Sequence, residues 1–299
     1  MSAQTPAPTP LVPAVRAAAT AGQWQTAERL LADARTAGGL TPTWLEAQSW
    51  LGRGALAGHD LTKADAYAAE TLRMADAMLK GRTLDAEPHL PIALGAGLEV
   101  RAQVRAAQGA RSEAVADLQR ALRTYAGTSI TKRIQKNINL ISLEGTPAPV
   151  LDGTERLAAA GALAPFAGRV TVLFFWAHWC PDCKAQAAAL AMLLVQHAAQ
   201  GLQVIAPTQR YGYVDGGRDA SPAAERDYIE RVRLQYYGFV PGSAVPLAEA
   251  NHQRYGVSTT PTLVIVDRAG IVRRYHPGNM TLAELEAAVT PLLAVAAGQ

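Results

Sequence analysis

Two hydrophobic rhythms divide the chain. From Leu11 to Gly145 the chain is alanine-rich, and its apolar residues recur every three or four positions, the spacing of one helical face. Trp24, Ala27, Leu30, Leu31 and Ala34 make such a face between Gln23 and Ala37. Thr43 with Glu46 forms a capping-box pattern that opens a second long helix ending near Gly58. Asp60 suits the cap of a third, lined by Ala64, Tyr67, Ala68, Leu72, Ala75, Met78 and Leu79, with Met74 and Met78 as core filler. Pro88 and Pro91 mark the entry to a helix through Gln108, and Gly109 then breaks the chain. Val115, Leu118, Leu122 and Tyr125 predict the buried stripe of the next helix, and a last one covers about Ile130 to Leu143 before the linker Gly145 to Pro149.

After that linker the rhythm changes. Val170 to Trp176 is apolar except for Thr171, which predicts a short buried strand, and Gly201 to Pro207 predicts a second. Ser221-Pro222 opens a helix through about Tyr237. Arg210 to Asp219, with Tyr211, Tyr213 and Gly216-Gly217, lies in a loop at the end of a strand and reads as a surface loop, the alternative being a loop that reaches the active-site face, where open α/β sheets bind ligands. Leu263 to Asp267 and Ile271 to Tyr275 predict an antiparallel hairpin, and Thr281 with Glu284 caps the final helix.

The candidate chemistry lies where the first strand gives way to a helix. Cys180 precedes Pro181, a residue suited to the first helical turn, so its sulfur falls at a helix N-terminus, where free N–H groups and the dipole favour a thiolate. Cys183 lies one turn on and faces the same side, so it can attack a mixed disulfide formed at Cys180. Asp182 puts a negative charge near Cys180 and opposes part of the dipole effect, which points to a reducing poise. His178 reads as an exposed loop side chain, the alternatives being a third metal ligand or a modifier of the Cys180 pKa. The same C-x-x-C spacing also builds half of a zinc site, but the chain has no third cysteine and no paired histidines, so neither metal nor other cofactor is expected.

The segment WAHWCPDCK resembles the active-site stretch of the thioredoxin superfamily, with Trp176, Trp179, Cys180, Pro181 and Cys183 on matching positions. VSTTPTLVIV, Val257 to Val266, is similar to that family's cis-proline loop and following strand. GTPAPVL followed by FAGRVTVLFFWAHWC resembles the entry of TlpA-like and ResA-like exported thiol-disulfide reductases. The resemblance implies that Pro261 lies opposite the cysteines, and that Trp179, Thr260 and Pro261 receive an extended substrate. It also implies a disulfide-bearing protein substrate and an upstream dithiol electron donor. Two departures stand out: the buried carboxylate of many thioredoxins would fall at Phe174, and the glutamate of ResA-like reductases at Gln186. Proton removal from Cys183 is then left to Asp182, Lys184 or water.

The three turns Gly22 to Ala27, Gly58 to Ala64 and Gly109 to Ala114 each pass from glycine to a small residue early in the next helix, which resembles the tetratricopeptide (TPR) family. Their irregular spacing leaves an irregular helical bundle as the alternative. The expected organisation is a disordered tail over residues 1–12, a TPR-like helical-hairpin domain over 13–144, and a thioredoxin-like α/β domain with a central mixed sheet over 145–299.

Composition narrows the function classes. The chain of 299 residues is 49% hydrophobic with mean hydropathy near zero, as in soluble two-domain proteins. Net charge is +3, divided as 16 basic and 13 acidic side chains before residue 145 against 12 and 12 after it, so nothing calls for nucleic acid. The run from Arg101 to Lys136, eight basic residues and two acidic, is a solvated helix face or a groove for an acidic peptide. No apolar run reaches membrane-spanning length, and the start, MSAQTPAPTP, reads as a mature exported N-terminus or a ragged cytosolic one. Three readings follow: a protein-disulfide reductase whose helical domain docks a partner, an interaction or chaperone-like scaffold with a secondary redox site, and a thiol peroxidase. The Trp-flanked C-x-x-C argues against the last.

Overall fold

The computed structural model describes residues 10–158, 163 and 166–294. The chain divides into two compact units between Asn137 and Ile138. Residues 1–9 of the expected tail lie outside the described residues, and Leu11 already opens the first helix.

The first unit is helical: α1 (Leu11–Thr20), α2 (Trp24–Gly38), α3 (Pro42–Ala57), α4 (Leu61–Leu79), α5 (His89–Ala107) and α6 (Arg111–Thr124), followed by α7 (Thr131–Ser142), which runs across the division. Consecutive pairs α1–α2, α3–α4 and α5–α6 pack together, and α3 also packs on α1 and α5. Small residues permit the close approach. A methyl at Gly54 would lie 2.6 Å from the carbonyl oxygen of Ala19, and one at Gly97 would lie 2.9 Å from Leu72 Cγ.

The three turns are copies of one motif. In each, a residue at positive φ donates its N–H three residues back and its successor donates five back: Gly22 to Ala19 and Gln23 to Ala18, His59 to Leu56 and Asp60 to Ala55, Gly109 to Ala106 and Ala110 to Arg105. This is a Schellman helix ending. The residue equivalent to Gly22 and Gly109 is therefore His59, at φ 60°, and not Gly58. Five residues beyond each stand Ala27, Ala64 and Ala114, all fully buried.

Two local expectations change. The cap of α3 is Thr41, whose Oγ1 accepts the Trp44 N–H at 3.1 Å, with Pro42 in the first turn; Glu46 instead reaches His89 Nδ1 at 2.6 Å. On α6 the buried stripe is Ala114, Leu118 and Ala121, while Val115, Leu122 and Tyr125 are half-buried, because the contact with α5 selects the face of small residues. Part of the basic run is paired: Asp117 with Arg105 and Arg120, and Glu99 with Arg133 and Lys136.

The second unit is built on a mixed four-stranded sheet. Its elements are β1 (Val170–Phe175), α8 (Pro181–His197), β2 (Leu202–Ile205), a two-residue pair β3 (Tyr213–Val214) and β4 (Arg218–Asp219), α9 (Pro222–Tyr236), α10 (Glu249–Arg254), β5 (Thr262–Val266), β6 (Val272–Pro277) and α11 (Leu282–Ala294). The sheet order is β2-β1-β5-β6, with β1 parallel to β2 and antiparallel to β5, and β5 antiparallel to β6. Every residue of β1 is buried, as a central strand covered on both faces requires. Val170, Val172 and Phe174 face a core shared with α8, α9 and α11, whereas Leu173 and Phe175 join Tyr255, Val264, Tyr275 and Leu143 on the other side. Thr281 and Glu284 cap α11 reciprocally, with Thr281 N–H to Glu284 Oε2 at 2.8 Å and Glu284 N–H to Thr281 Oγ1 at 3.3 Å.

Candidate active site

The first cysteine is positioned by the end of β1. Trp176 continues the strand with its indole N–H on the Ala206 carbonyl at 3.0 Å, and its own carbonyl accepts the Thr208 hydroxyl at 2.8 Å. The chain then turns, Cys180 N–H donating to the Ala177 carbonyl at 3.1 Å, and Cys180 becomes the N-cap of α8 with Pro181 in the first turn. A capping side chain accepts from the N–H groups of the first turn, and here the acceptor is sulfur: Cys183 N–H lies 3.1 Å from Cys180 Sγ. Both cysteines are free thiols.

This arrangement separates the two thiols. Cys180 is lowered from 9.0 to about 6, first because the Cys183 side chain donates to it and further because the Cys183 backbone N–H does; burial and the Asp182 carboxylate push the other way. Burial drives the Cys183 thiol far upward, and the adjacent Cys180 thiolate adds to that. Cys180 is only 2% exposed, whereas its neighbours Trp179, 46% exposed, Pro181 and Asp182 meet solvent. Cys180 Sγ lies 3.4 Å from the Thr260 carbonyl oxygen, and the Thr260–Pro261 peptide bond is cis. Pro261 is buried and Thr260 half-buried.

His178 is not an exposed loop side chain. It is 1% exposed, its Nε2 lies 3.2 Å from Glu225 Oε1, and the rings of Tyr211, Tyr213 and Tyr228 stand around it at 5.3 to 5.5 Å. Burial holds its pKa below 6.5, with the Glu225 hydrogen bond opposing, which leaves the imidazole neutral at pH 7. The segment from Arg210 to Asp219 is likewise no free surface loop. Tyr211 and Gly212 donate their N–H groups to Glu225, and the Arg210 guanidinium pairs with Glu155. Periodicity could not reveal this, since Ser221-Pro222 followed by Glu225 also reads as an ordinary helix start.

The two sites where relatives were expected to hold a carboxylate are filled otherwise. Phe174 is fully buried and packs edge-on against Tyr237 at 5.4 Å. Gln186 joins α8 to the segment before α11, donating to the Met280 carbonyl at 2.9 Å and accepting the Met280 N–H at 2.8 Å. Lys184 Nζ lies 5.0 Å above the Tyr236 ring. Among the described residues there is no group of three or more His, Cys, Asp or Glu side chains able to hold a metal.

Residues 145–208, which include β1, both cysteines and β2, match the AhpC/TSA family. That match covers part of the second unit, whose mixed four-stranded sheet has a thioredoxin-like fold. Thioredoxin-like protein YneN of Bacillus subtilis (strain 168) is 24% identical over 143 residues, 48% of this chain and 76% of that protein. Among solved structures, StoA from Bacillus subtilis is 19% identical, with a TM-score of 0.32, over 41% of this chain and 84% of its own. A secreted thiol-disulfide isomerase from Corynebacterium glutamicum is 20% identical, with a TM-score of 0.35, over 44% of this chain and 74% of its own. All three alignments leave about half of this chain uncovered, whereas the thioredoxin-like domain accounts for the site.

Proposed function

We propose that the protein is a thiol-disulfide oxidoreductase that reduces disulfides in proteins through Cys180 and Cys183. The observation that carries this reading is the asymmetry of the pair: Cys180 is the N-cap of α8, with the Cys183 N–H 3.1 Å from its sulfur, and Cys183, one turn on, is fully buried. The Cys180 thiolate attacks one sulfur of a substrate disulfide, forming a Cys180–substrate disulfide and releasing the other sulfur as a thiolate. Cys183 loses its proton and attacks Cys180 Sγ, which forms the Cys180–Cys183 disulfide and releases the second substrate thiolate. The substrate gains two electrons and the protein loses two, to be restored by an upstream dithiol. The Asp182 carboxylate beside Cys180 opposes thiolate formation, which supports the reducing direction.

The helical unit is assigned partner docking, as a TPR-like array of packed hairpins, and the protein is assigned to an exported compartment. The repeated Schellman turns support the first assignment; the second rests on the resemblance to exported reductases, and no helix of the described residues is long and apolar enough to cross a membrane. A thiol peroxidase would attack a hydroperoxide with Cys180 instead, a reading favoured by the AhpC/TSA match.

The test uses the full-length reduced protein with insulin and with hydrogen peroxide. Insulin reduction that disappears in Cys180→Ser, together with a substrate mixed disulfide that accumulates in Cys183→Ser, is the expected result. Insulin reduction surviving in Cys180→Ser would overturn the assignment, and turnover with peroxide alone would replace it by the peroxidase.

A further inference from the structure

Glu225 is an unusual carboxylate for a helix that begins at the surface. It stands four residues after the N-cap Ser221 of α9 and is 1% exposed. Both of its oxygens are occupied from outside its own helix: Oε1 accepts the Tyr211 N–H at 2.5 Å and faces His178 Nε2 at 3.2 Å, and Oε2 accepts the Gly212 N–H at 2.9 Å. An ionised carboxylate is an acceptor only, so it can satisfy three converging donors at once. Burying such a group is costly unless its hydrogen bonds are made. The sequence nevertheless places one here, two residues from the nucleophile through His178.

What Glu225 orders is one wall of the site. The imidazole of His178 is enclosed by three tyrosines that all meet it at 77 to 83°. One of them, Tyr211, then meets the exposed ring of Trp179 at 5.7 Å and 81°. The order of contact is Glu225, then His178 and the 211–212 backbone, then the Tyr211 ring, then Trp179 beside Cys180. Trp179 is 46% exposed and stands next in the chain to a sulfur that is itself 2% exposed.

We propose that Glu225 and His178 are positioning residues that hold Trp179 and Tyr211 as a rigid aromatic wall, and that this wall selects peptide disulfides carrying an apolar or aromatic side chain beside the cysteine. This rests on the disulfide-reductase reading above and adds its substrate class. Aromatic faces suit such a wall because a stacked or edge-on ring gains contact area at low entropic cost. Fixing the wall in advance avoids ordering it at each encounter.

Glu225→Gln is the informative change. The side chain keeps its size, but one acceptor oxygen becomes an NH2 donor, so at least one of the Tyr211, Gly212 and His178 N–H groups faces another donor. The full-length protein is assayed with insulin and with hydroxyethyl disulfide, which has no side chain for the wall to grip. In Glu225→Gln, KM for insulin is expected to rise about tenfold while kcat falls less than twofold, so that the loss in kcat/KM on insulin exceeds that on the small disulfide by about tenfold. Trp179→Ala, at an exposed position that cannot unfold the core, is expected to show the same selective loss. Equal losses on both disulfides, or an unchanged KM for insulin in Trp179→Ala, would overturn the proposal. If Glu225→Gln does not fold, Trp179→Ala and Tyr211→Ala decide it by the same ratio. A wild-type protein that reduces neither disulfide would instead overturn the reductase reading itself.

Discussion

The lowering of Cys180 can be tested by removing its largest source. In Cys183→Ala the side-chain donor to Cys180 is lost, while the backbone N–H at 3.1 Å stays in place. A hydrogen bond to a charged acceptor contributes about 1.5 to 3 kcal/mol net, and 1.36 kcal/mol corresponds to about one pKa unit. The Cys180 midpoint should therefore rise from about 6 by about one to two units. The assay is the rate of iodoacetamide alkylation of the reduced protein between about pH 4.5 and 9.5, with the modified cysteine identified by mass spectrometry. Because the thiolate is the reacting species, a 1.5-unit rise cuts the rate at pH 6 about fifteenfold, from about half ionised to about 3%. Wild-type protein should label at Cys180 first, with the low midpoint. A wild-type midpoint near 8.5, or a midpoint that does not move in Cys183→Ala, would show that the Cys183 side chain is not the source of the thiolate's stability.

Three further outcomes follow from the same contacts. Cys180 is lowered on folding, so its stabilisation is complete above about pH 9 and lost as pH falls through about 6, whereas the raised Cys183 thiol acts oppositely, its contribution being lost above about pH 9. The melting temperature of the reduced form relative to the oxidised form should therefore climb by several degrees between pH 6 and 9 and fall again above it; a flat difference would contradict the shift. Gln186→Leu leaves the Met280 N–H and carbonyl buried without partners and should cost about 2 to 4 kcal/mol in chemical denaturation, since each orphaned group costs about 1 to 3; a loss under about 0.5 would mean that the pair reorganises freely. A fragment starting at residue 138 should fold and reduce insulin, whereas one starting at 145 should be less stable by about 2 to 4 kcal/mol, because it lacks the buried Leu143 and the Glu144 carboxylate that accepts the Tyr275 N–H at 3.0 Å; equal stability of the two would place the end of α7 outside the second unit's core.

The sequence by itself determined the features that are local in the chain. Periodicity is set within a few residues, so the helical character of the first half, the buried strand Val170–Phe175, the hairpin of β5 and β6 and the Thr281–Glu284 cap were all legible. The dithiol was legible for the same reason: a Cys-Pro step at a strand-to-helix junction puts sulfur on the N-cap whatever surrounds it. Which side chains and backbone groups meet across long separations is set by the folded chain. Glu225 meets His178 over 47 residues, Thr260 meets Cys180 over 80, and Gln186 meets Met280 over 94. It also decided that His178 is buried and that the 210–219 segment is anchored, since a histidine in a loop and a tyrosine-rich turn have the same pattern whether they face water or a carboxylate. Even the repeated turn shows the limit: its glycine could be read from the sequence, but that His59 takes the positive φ in the middle copy follows from the hydrogen bonds that close the helix, which backbone geometry imposes and residue type only accommodates.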